Sequence, residues 1–310
     1  MPQITFQEVA ALWKADKRRW VKLSTYAVYV QIANKHILPF FGGMTAEQLS
    51  EGPIQRFADG LMAQGLVVSS IRDALMVLKM ILRFGEKVNA WPRILYDVHF
   101  PTTARPKAEI SVLPHSDQRK LISHLKENFS FRNLGLMICL YSGLRIGEVC
   151  ALQWKDLDVE KGEIHITKTV HRIWLSDVDE KEYDLTVGPP KTVSSCRSIP
   201  ICKDLMKTIR PLRKVMADDY FVVSNAAEPL EPRYYRDYFR NLLARLDIPP
   251  VRFHALRHSF ATRCIESRCD YKTVSVILGH SSLATTMDLY VHPGFSDKKK
   301  AIEQMSKSFL

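Results

Sequence analysis

Apolar residues recur at helical spacing through the first hundred positions of the chain. Phe6, Val9 and Trp13 lie three or four residues apart, and the same spacing returns in residues 26–38. Residues 71–83 give the clearest amphipathic pattern, because their apolar residues fall on one face of a helix. The pattern predicts a small helical bundle at the start of the chain.

Residue types that begin or end helices flank these stretches. Ser and Thr side chains accept hydrogen bonds from the free N–H groups of a first turn, and glycine is favoured where a helix ends. The expected helix starts are Ser24–Thr25, Thr45 and Ser69–Ser70, and the expected ends are Gly42–Gly43 and a point near Gly85.

The pattern changes after residue 100. The stretch PTTARPKAEIS, residues 101–111, contains two prolines and has no apolar period, which indicates a linker. Further on, Ile164, Ile166 and Val170 share one parity, which is typical of a strand. Helices are expected within 115–127, 133–154, 203–218 and 232–290, and strands within 163–174, 183–187 and 198–201.

These patterns predict a mainly α-helical protein with a small antiparallel β-sheet in the second of two domains. The expected parts are a first domain at 1–104, a linker at 105–111, a second domain at 112–295 and a tail at 296–310.

The tail has a pattern of its own. Pro293–Gly294 predicts a hinge, and Ser296 or Asp297 would cap the helix that follows. The apolar residues of that helix form one stripe, which would pack on the same chain or on another copy. The stripe consists of Ile302, Met305 and Phe309.

The positive charge of the chain indicates what kind of partner it binds. The formal net charge is +11, with +6 in residues 1–107 and +5 in the remainder, which favours a polyanion gripped by both domains. The longest nearly apolar run, Leu134–Leu144, is too short to span a bilayer. The N-terminus MPQITFQEVA lacks the features of an export signal. We therefore expect a cytoplasmic protein with no membrane contact.

The sequence offers no recognisable metal site. Its six cysteines form no CxxC pair and no cluster with zinc-finger spacing. Its acidic residues show no paired-carboxylate pattern suited to two magnesium ions. We expect neither a metal nor any other cofactor.

Two segments of the second domain carry charged residues that are unremarkable alone. YSGLRIGEVCALQWKDLD, residues 141–158, contains Arg145 and Glu148 at a spacing typical of a surface ion pair. GPPKTVSSCRSIP, residues 188–200, places Lys191 at a turn between two expected strands, where exposed lysines are common.

Two later segments complete a set suited to phosphate chemistry. HALRH, residues 254–258, puts His254 and Arg257 on one face of an expected helix, and LGH ends at His280, ten residues before Tyr290. Taken singly, a histidine or tyrosine is most often structural. Together with the earlier pair and lysine, these residues can cleave a phosphodiester without metal. Guanidinium groups neutralise the phosphate, lysine and histidine move protons, and a phenol attacks.

In this order and with these spacings, the segments resemble the signature of the tyrosine recombinase, or phage integrase, family over roughly residues 112–300. The first hundred residues are similar to the helical, SAM-like core-binding domain that such enzymes place on the opposite face of DNA, so the resemblance implies a two-domain DNA clamp. The positions that match the signature are Arg145, Glu148, Lys191, His254, Arg257, His280 and Tyr290.

The resemblance implies a site-specific recombinase that cleaves and rejoins DNA through a 3′-phosphotyrosine and a Holliday junction. Tyr290 would attack the scissile phosphate, whose oxygens Arg145 and Arg257 would hold. His280 would add a hydrogen bond, and Lys191 would protonate the leaving 5′-oxygen.

Two residues of the signature have accessory roles in this scheme. His254 would assist proton transfer around the phosphate and the phenol, and Glu148 would support the other side chains. No metal or nucleotide cofactor is implied.

The resemblance also implies partners. These are double-stranded DNA with specific core sites, further copies of the chain in a homotetramer on two duplexes, and accessory DNA-bending proteins, in a nucleoid-associated protein of bacterial or phage origin. The tail would dock on a neighbouring protomer. A phosphate-contacting patch is expected in the first domain, although its residues also fit a solvated helix end: Lys17, Arg18, Arg19, Lys22, Ser24 and Thr25.

The segments look closest to integrases that insert and excise mobile elements. A chromosome or plasmid dimer resolvase of the same family is an alternative, as are a type IB topoisomerase and a non-catalytic DNA-binding relative. The short chain, helical first domain and tail favour recombination over topoisomerase activity. Mobile-element integrases often carry an arm-binding domain before the core-binding unit, so a simpler recombinase and a truncated chain both stay open.

Overall fold

The computed structural model describes residues 4–100, 110–174, 183–190, 192–291, 295–307 and 309. The chain divides into two compact units, each with its own buried apolar cluster. One unit comprises Met1–Pro106 with Ile173–Asp184, and the other Lys107–Arg172 with Leu185–Leu310.

The first unit is helical. A five-residue π-helix, Ala33–Ile37, joins the second and third α-helices into one nearly continuous rod. Its helices are α1 (Phe6–Lys17), α2 (Leu23–Ile32), α3 (Leu38–Phe41), α4 (Glu51–Ala63) and α5 (Val68–Lys87).

Aromatic packing holds this bundle together. The Trp91 indole stacks on the Phe6 ring with a centroid separation of 5.8 Å and also lies against Gly85 of α5. A methyl group on Gly85 would overlap the indole, so this glycine makes room for Trp91 and does not end the helix. Helix α5 ends at Lys87, near Gly85 as predicted.

Two of the predicted helix starts are wrong. Helix α2 begins at Leu23 with Lys22 as its N-cap, so Ser24 and Thr25 lie inside its first turn. Ser69–Ser70 likewise lie inside α5, which begins at Val68. In both cases the helix begins one residue before the first serine, and the N-cap residues, Lys22 and Val67, make no side-chain capping hydrogen bond.

Beyond the first bundle, the described part of the chain contains nine α-helices and five short strands, in agreement with the predicted fold class. Strands β1 (Leu157–Asp158), β2 (Glu163–Ile166) and β5 (Arg197–Pro200) form an antiparallel sheet in the order β1-β2-β5, whereas β3 (Thr169–Trp174) and β4 (Tyr183–Gly188) form a separate pair. The helices are α6 (His115–Glu127), α7 (Phe131–Ser142), α8 (Ile146–Cys150), α9 (Lys203–Arg213), α10 (Pro232–Arg245), α11 (Ala255–Glu266), α12 (Tyr271–Leu278), α13 (Leu283–Tyr290) and α14 (Phe295–Lys307).

The single helix predicted over 133–154 is interrupted. Helix α7 ends at Ser142, and Gly143 adopts φ +67°, the left-handed conformation that glycine reaches without a Cβ penalty. The chain then turns into the short helix α8. This break separates Arg145 from the apolar run before it and leaves the arginine at the N-cap of α8.

None of the helices in the described ranges has the length and apolar character that crossing a membrane requires.

Candidate active site

Three arginines converge on the C-terminal end of helix α12. The carbonyl oxygens of three consecutive residues each accept a hydrogen bond from a different guanidinium group. The bonds run from Arg197 Nε to Ile277 O at 2.5 Å, from Arg257 Nη2 to Leu278 O at 2.6 Å and from Arg145 Nη2 to Gly279 O at 3.3 Å.

The geometry of the helix end explains this convergence. Carbonyls of a last helical turn have no intrahelical partner and carry the negative end of the helix dipole, so they attract cations. Gly279 closes α12 in the left-handed conformation, with φ +64°. A Cβ there would lie 2.9 Å from Ser194 O, so the position has no room for a side chain.

Arg257 is the most deeply buried of the three, with 1% of its surface exposed. Besides Leu278 it donates from Nη1 to Gly143 O at 2.9 Å, so two helix ends fix its guanidinium. Burial, and then the charge of Arg145, lower the pKa of Arg257 to about 9. The side chain remains a cation at neutral pH.

Glu148 lies between the other two arginines. Its Oε1 accepts from Arg145 Nη1 at 2.7 Å and its Oε2 from Arg197 Nη2 at 3.0 Å, while only 3% of the residue is exposed. Burial alone would raise the pKa of Glu148, but the hydrogen bonds and charge of Arg197, followed by those of Arg145, outweigh burial and lower it. The carboxylate therefore stays ionised and fixes both guanidinium groups.

Two histidines of the signature stand beside these arginines. His280 follows the α12 carbonyls directly, and its Nδ1 makes a 2.8 Å hydrogen bond with the hydroxyl of the buried Thr286. Burial, then the charges of Arg257 and Arg145, lower the pKa of His280 to about 4. The ring is therefore neutral at pH 7.

His254 is the N-cap residue of α11, so the expected helix begins one residue after it. Its ring meets that of His258 edge to face, with centroids 4.6 Å apart. Burial of the ring, then His258 and Arg257, lower the pKa of His254 to about 4, although the residue as a whole keeps contact with solvent.

Tyr290 ends α13 and is 9% exposed. It packs with Ala261 and Leu278 in a small apolar cluster, and its hydroxyl lies 2.7 Å from His258 Nδ1. Burial raises the pKa of Tyr290, and the charges of Arg257 and Arg145 oppose that rise. The phenol is thus protonated at neutral pH and lies within the field of both arginines.

A cavity of about 430 Å³ opens beside these groups, lined among others by Arg145, Glu148 and His280. Pro190 and Thr192, the residues on either side of the predicted lysine in the chain, also line it. Lys191 itself lies outside the described residues, as do the Pro293–Gly294 hinge and most of the predicted linker.

The structure thus brings six predicted residues into one region and adds two that the sequence did not single out. The added residues are Arg197, which completes the pair around Glu148, and His258, which contacts Tyr290. Both stand inside segments already quoted, GPPKTVSSCRSIP and HALRH. The sequence did contain a signal for His258. It stands four positions after His254, a spacing that places both histidines on one helix face.

Basic surfaces occur in both units. In the first, Arg18, Arg19 and Lys22 of the predicted patch are exposed, and Lys17, Ser24 and Thr25 are partly exposed. In the second, a groove of about 820 Å³ reaches His254. The arginines that line this groove are Arg233, Arg236, Arg240 and Arg252.

Comparisons with known proteins agree with this arrangement. The model of the phage integrase family matches residues 111–296, more than half of the chain, and that of the phage integrase N-terminal SAM-like domain matches residues 5–62. The chain belongs to the phage integrase family. It is a tyrosine recombinase, an enzyme class that acts on DNA, as the resemblance in its sequence implied.

Curated members of the family share about a quarter of its sequence. A XerC-like tyrosine recombinase from Caldanaerobacter subterraneus subsp. tengcongensis is 26% identical over 291 residues, covering 86% of this chain and 73% of that protein. The ICEBs1 integrase of Bacillus subtilis is 25% identical over 302 residues, covering 93% and 79%.

Solved structures of family members share the fold. The Tn1549 transposon integrase in complex with a circular intermediate DNA superposes with a TM-score of 0.77 at 20% identity, covering 97% of this chain and 99% of that one. A lambda integrase dimer bound to a core site gives 0.67 at 17% identity, covering 94% and 97%.

Proposed function

We propose that Tyr290 is the nucleophile of this recombinase and that Arg145, Arg257 and His280 bind the scissile phosphate. One observation carries the proposal: Tyr290 packs against Leu278, whose backbone carbonyl accepts a hydrogen bond from Arg257, so the phenol and this arginine meet at one helix end. An oxygen nucleophile beside two fixed cations is what attack on a phosphodiester requires.

The reaction exchanges one phosphate ester for another. The Tyr290 oxygen forms a bond to phosphorus, the bond from phosphorus to the 5′-oxygen breaks, and a 3′-phosphotyrosine results. Lys191 gives the leaving 5′-oxygen its proton, and the neighbouring Pro190 and Thr192 in the cavity wall support that assignment. The 5′-hydroxyl of a partner duplex then attacks the phosphotyrosine and releases Tyr290.

Arg197 and Glu148 act on the phosphate indirectly, through Arg145. Their ion pair, with both side chains buried, holds Arg145 and the strand β5 against the end of α12. They are positioning residues, because their contacts are with Arg145 and the backbone and not with the reacting atoms.

The basic surfaces support contacts with the DNA backbone on both units. Exposed arginines of the first patch, and the row of arginines on α10 at positions 233, 236 and 240, carry donors suited to phosphate oxygens. We assign both surfaces to the gripping of double-stranded DNA around a core site.

We further propose that the enzyme works as a homotetramer on two duplexes and that it inserts and excises a mobile element. A lambda integrase tetramer has been solved on a Holliday junction, and the Tn1549 integrase on a circular intermediate DNA. The exposed apolar residues of the tail support docking on a neighbouring protomer, since Ile302 and Met305 of α14 are 64% and 46% exposed and Phe309, beyond the end of that helix, is 79% exposed.

Chromosome or plasmid dimer resolution is the second candidate, and the XerC-like relative favours it. The two candidates differ in the DNA that they use. An integrase joins the ends of an element to a target, whereas a resolvase acts on two copies of one site. The identity of the bound site therefore decides between them.

The nucleophile can be tested by trapping. The protein is incubated with nicked genomic fragments of its source organism in excess EDTA, and DNA covalently bound to protein is recovered and sequenced. We expect adducts without added metal, and none with Tyr290→Phe, which removes the attacking oxygen and little else. Adducts formed by Tyr290→Phe would refute the assignment.

The recovered sites then distinguish the two cellular roles. Junctions between an element and its target indicate integration, whereas one recurrent locus on a replicon indicates dimer resolution. Tyr290→Phe should still bind those sites in a gel-shift assay, which shows that the variant is folded.

A further inference from the structure

His258 is placed on the nucleophile, although no part of the signature assigns it a role. It follows Arg257 on α11 and comes four residues after His254, on the same face of that helix. Its Nδ1 lies 2.7 Å from the Tyr290 hydroxyl oxygen, and the two ring centroids are 5.7 Å apart. The phenol hydroxyl contacts His258, and the ring of His258 in turn contacts that of His254, so the two histidines occupy different places in the site.

The protonation states of His258 and Tyr290 bear on which of them donates the hydrogen bond. Burial, then the positive charge of Arg257, lower the pKa of His258 below its ordinary 6.5, while burial raises the pKa of Tyr290 above 10.0. The groups facing the pair are His254 and Arg257 on the same helix and, acting on the phenol, Arg145 at the start of α8. At neutral pH both groups are therefore uncharged, and in the imidazole tautomer with its proton on Nε2 the phenol donates and Nδ1 accepts.

We propose that His258 is the general base that removes the phenolic proton as Tyr290 attacks the phosphate. The inference rests on the proposed role of Tyr290. The O–H bond of the phenol breaks, its electron pair forms the bond from oxygen to phosphorus, and the proton passes to Nδ1 of His258. The imidazolium returns that proton when the incoming 5′-hydroxyl releases Tyr290.

A base is needed here because burial disfavours the ionised form of the Tyr290 phenol. The phenol is buried and must lose its proton before or during attack, and water has little access to it at 9% exposure. A neutral imidazole within hydrogen-bonding distance meets the geometric requirement for a general base. His254, packed edge to face on His258, fixes the ring orientation and remains available to the phosphate.

The first test measures single-turnover adduct formation from pH 5 to 9 on a nicked site recovered as described above. His258→Asn keeps an acceptor near the Nδ1 position but cannot take a proton. Wild-type rates should rise with pH and level off below pH 6.5, where His258 becomes neutral. The variant should be about 100-fold slower at pH 7, and its rate should keep rising to pH 9, where hydroxide replaces the missing base.

His165→Asn is the matched control. The His165 Nδ1 also lies 2.8 Å from a hydroxyl, that of Ser198, but outside the proposed site. Its rate and pH profile should equal those of the wild type. Thermal unfolding of both variants shows whether they are folded.

A second test varies the acidity of the nucleophile. A fluorinated tyrosine at position 290 has a phenol of lower pKa, which needs less help from a base. It should recover a large part of the rate lost in His258→Asn and accelerate the wild type much less. A purely structural role for His258 would give no such selective recovery.

The outcomes separate the two proposals. If His258→Asn matches or exceeds the wild-type rate with an unchanged pH profile, His258 is not the base, and a faster variant would mean that it restrains the phenol. If adducts persist in Tyr290→Phe, the nucleophile assignment fails and the inference fails with it. If Tyr290→Phe abolishes adducts and His258→Asn behaves as the wild type, only the inference is overturned.

Discussion

The two ends of the proposed active site are built differently. At the proposed phosphate end, Arg145, Arg197 and Arg257 each donate to a backbone carbonyl at the end of α12, and the buried Glu148 carboxylate also holds Arg145 and Arg197. At the nucleophile end, Tyr290 rests in a small apolar cluster and makes a side-chain hydrogen bond to His258. The phosphate end relies on bonds to the backbone, and the nucleophile end on packing between side chains.

This difference matches what each end must do. The guanidinium groups stabilise charge best when they need no rearrangement during the reaction, which favours fixed donors. In the proposed reaction the nucleophile forms a bond, becomes an ester and is released again, so we expect its surroundings to accommodate several positions. We therefore expect substitutions at the phosphate end to change rate and stability together, and substitutions beyond Tyr290 to change assembly instead.

The largest effect after loss of the nucleophile is expected from the arginines. Arg257→Ala and Arg145→Ala should each slow adduct formation by about two to three orders of magnitude, the usual loss for one positioned donor. Arg145→Lys should also be poor, because an ammonium group lacks the fixed fork of donors. Single-turnover kinetics measure the rates.

Stability should separate the two arginines. Arg257→Ala leaves the carbonyls of Gly143 and Leu278 without their donor and should lower the melting temperature more than Arg145→Ala, whose side chain is 36% exposed. Arg210→Ala, an exposed arginine on α9, should change neither property. Rates within a few-fold of wild type for Arg145→Ala and Arg257→Ala would remove both from the phosphate end.

A smaller effect is expected from Glu148→Gln. The amide keeps one acceptor but cannot balance two guanidinium charges, so the free energy of unfolding should fall by about 1.5–3 kcal/mol. Glu266→Gln is the matched control: its 2.7 Å pair with Arg263 has the same i,i+3 spacing but a carboxylate 46% exposed, and it should cost little. Denaturant unfolding measures both.

The contribution of Glu148 to stability should depend on pH, and the direction of that dependence follows from its pKa. The pKa of Glu148 is below its ordinary 4.5 in the folded protein, so its contribution to stability is present above pH 4.5 and is lost as the pH falls through the folded-state pKa. Wild type and Glu148→Gln should therefore converge in stability on acidification. A constant difference between them across that range would contradict the assignment.

The smallest effect on cleavage is expected from the tail. Deleting residues 296–310 removes the exposed stripe of α14, so single-site cleavage should stay within about threefold and the salt dependence of binding should not change. Paired-site complexes and strand exchange should be lost. Gel shifts with one and two sites, and a recombination assay, measure these steps.

A point variant sharpens the same test. Ile302→Asp should reproduce the loss of pairing without a change in melting temperature, whereas Lys299→Ala on the same helix should leave pairing intact. A lower melting temperature for Ile302→Asp would show that the stripe packs on its own chain. Normal pairing by the truncated protein would exclude a role for the tail in assembly.

The features that could be predicted from the sequence are those that depend on residues close together in the chain. Arg145, His254, Arg257, His280 and Tyr290 stand in short segments whose residue types are suited to phosphate chemistry, and the structure brings them together. The helix over 115–127 was also predicted with its observed bounds. Such features depend on neighbours a few positions apart.

Features that depend on distant partners escaped prediction. Arg197 meets Glu148 across 49 positions, and His258 meets Tyr290 across 32. Neither spacing carries a periodic signal, since it follows from how helices and strands pack. The starts of α2 and α5 were misplaced for another reason: their N-caps, Lys22 and Val67, are not residue types that favour a cap, so the sequence carries no cap signal there.

The end of helix α12 bears on how freely the sequence can vary. Its three arginine anchors are backbone oxygens, which every residue type supplies, so substitutions at Ile277 and Leu278 leave the acceptors themselves in place. The position that sequence change would disrupt is instead Gly279. Its left-handed conformation ends the helix there, and its neighbours leave no room for a side chain. Apolar residues of similar size should therefore be tolerated at Ile277 and Leu278, whereas no residue with a side chain should be tolerated at Gly279.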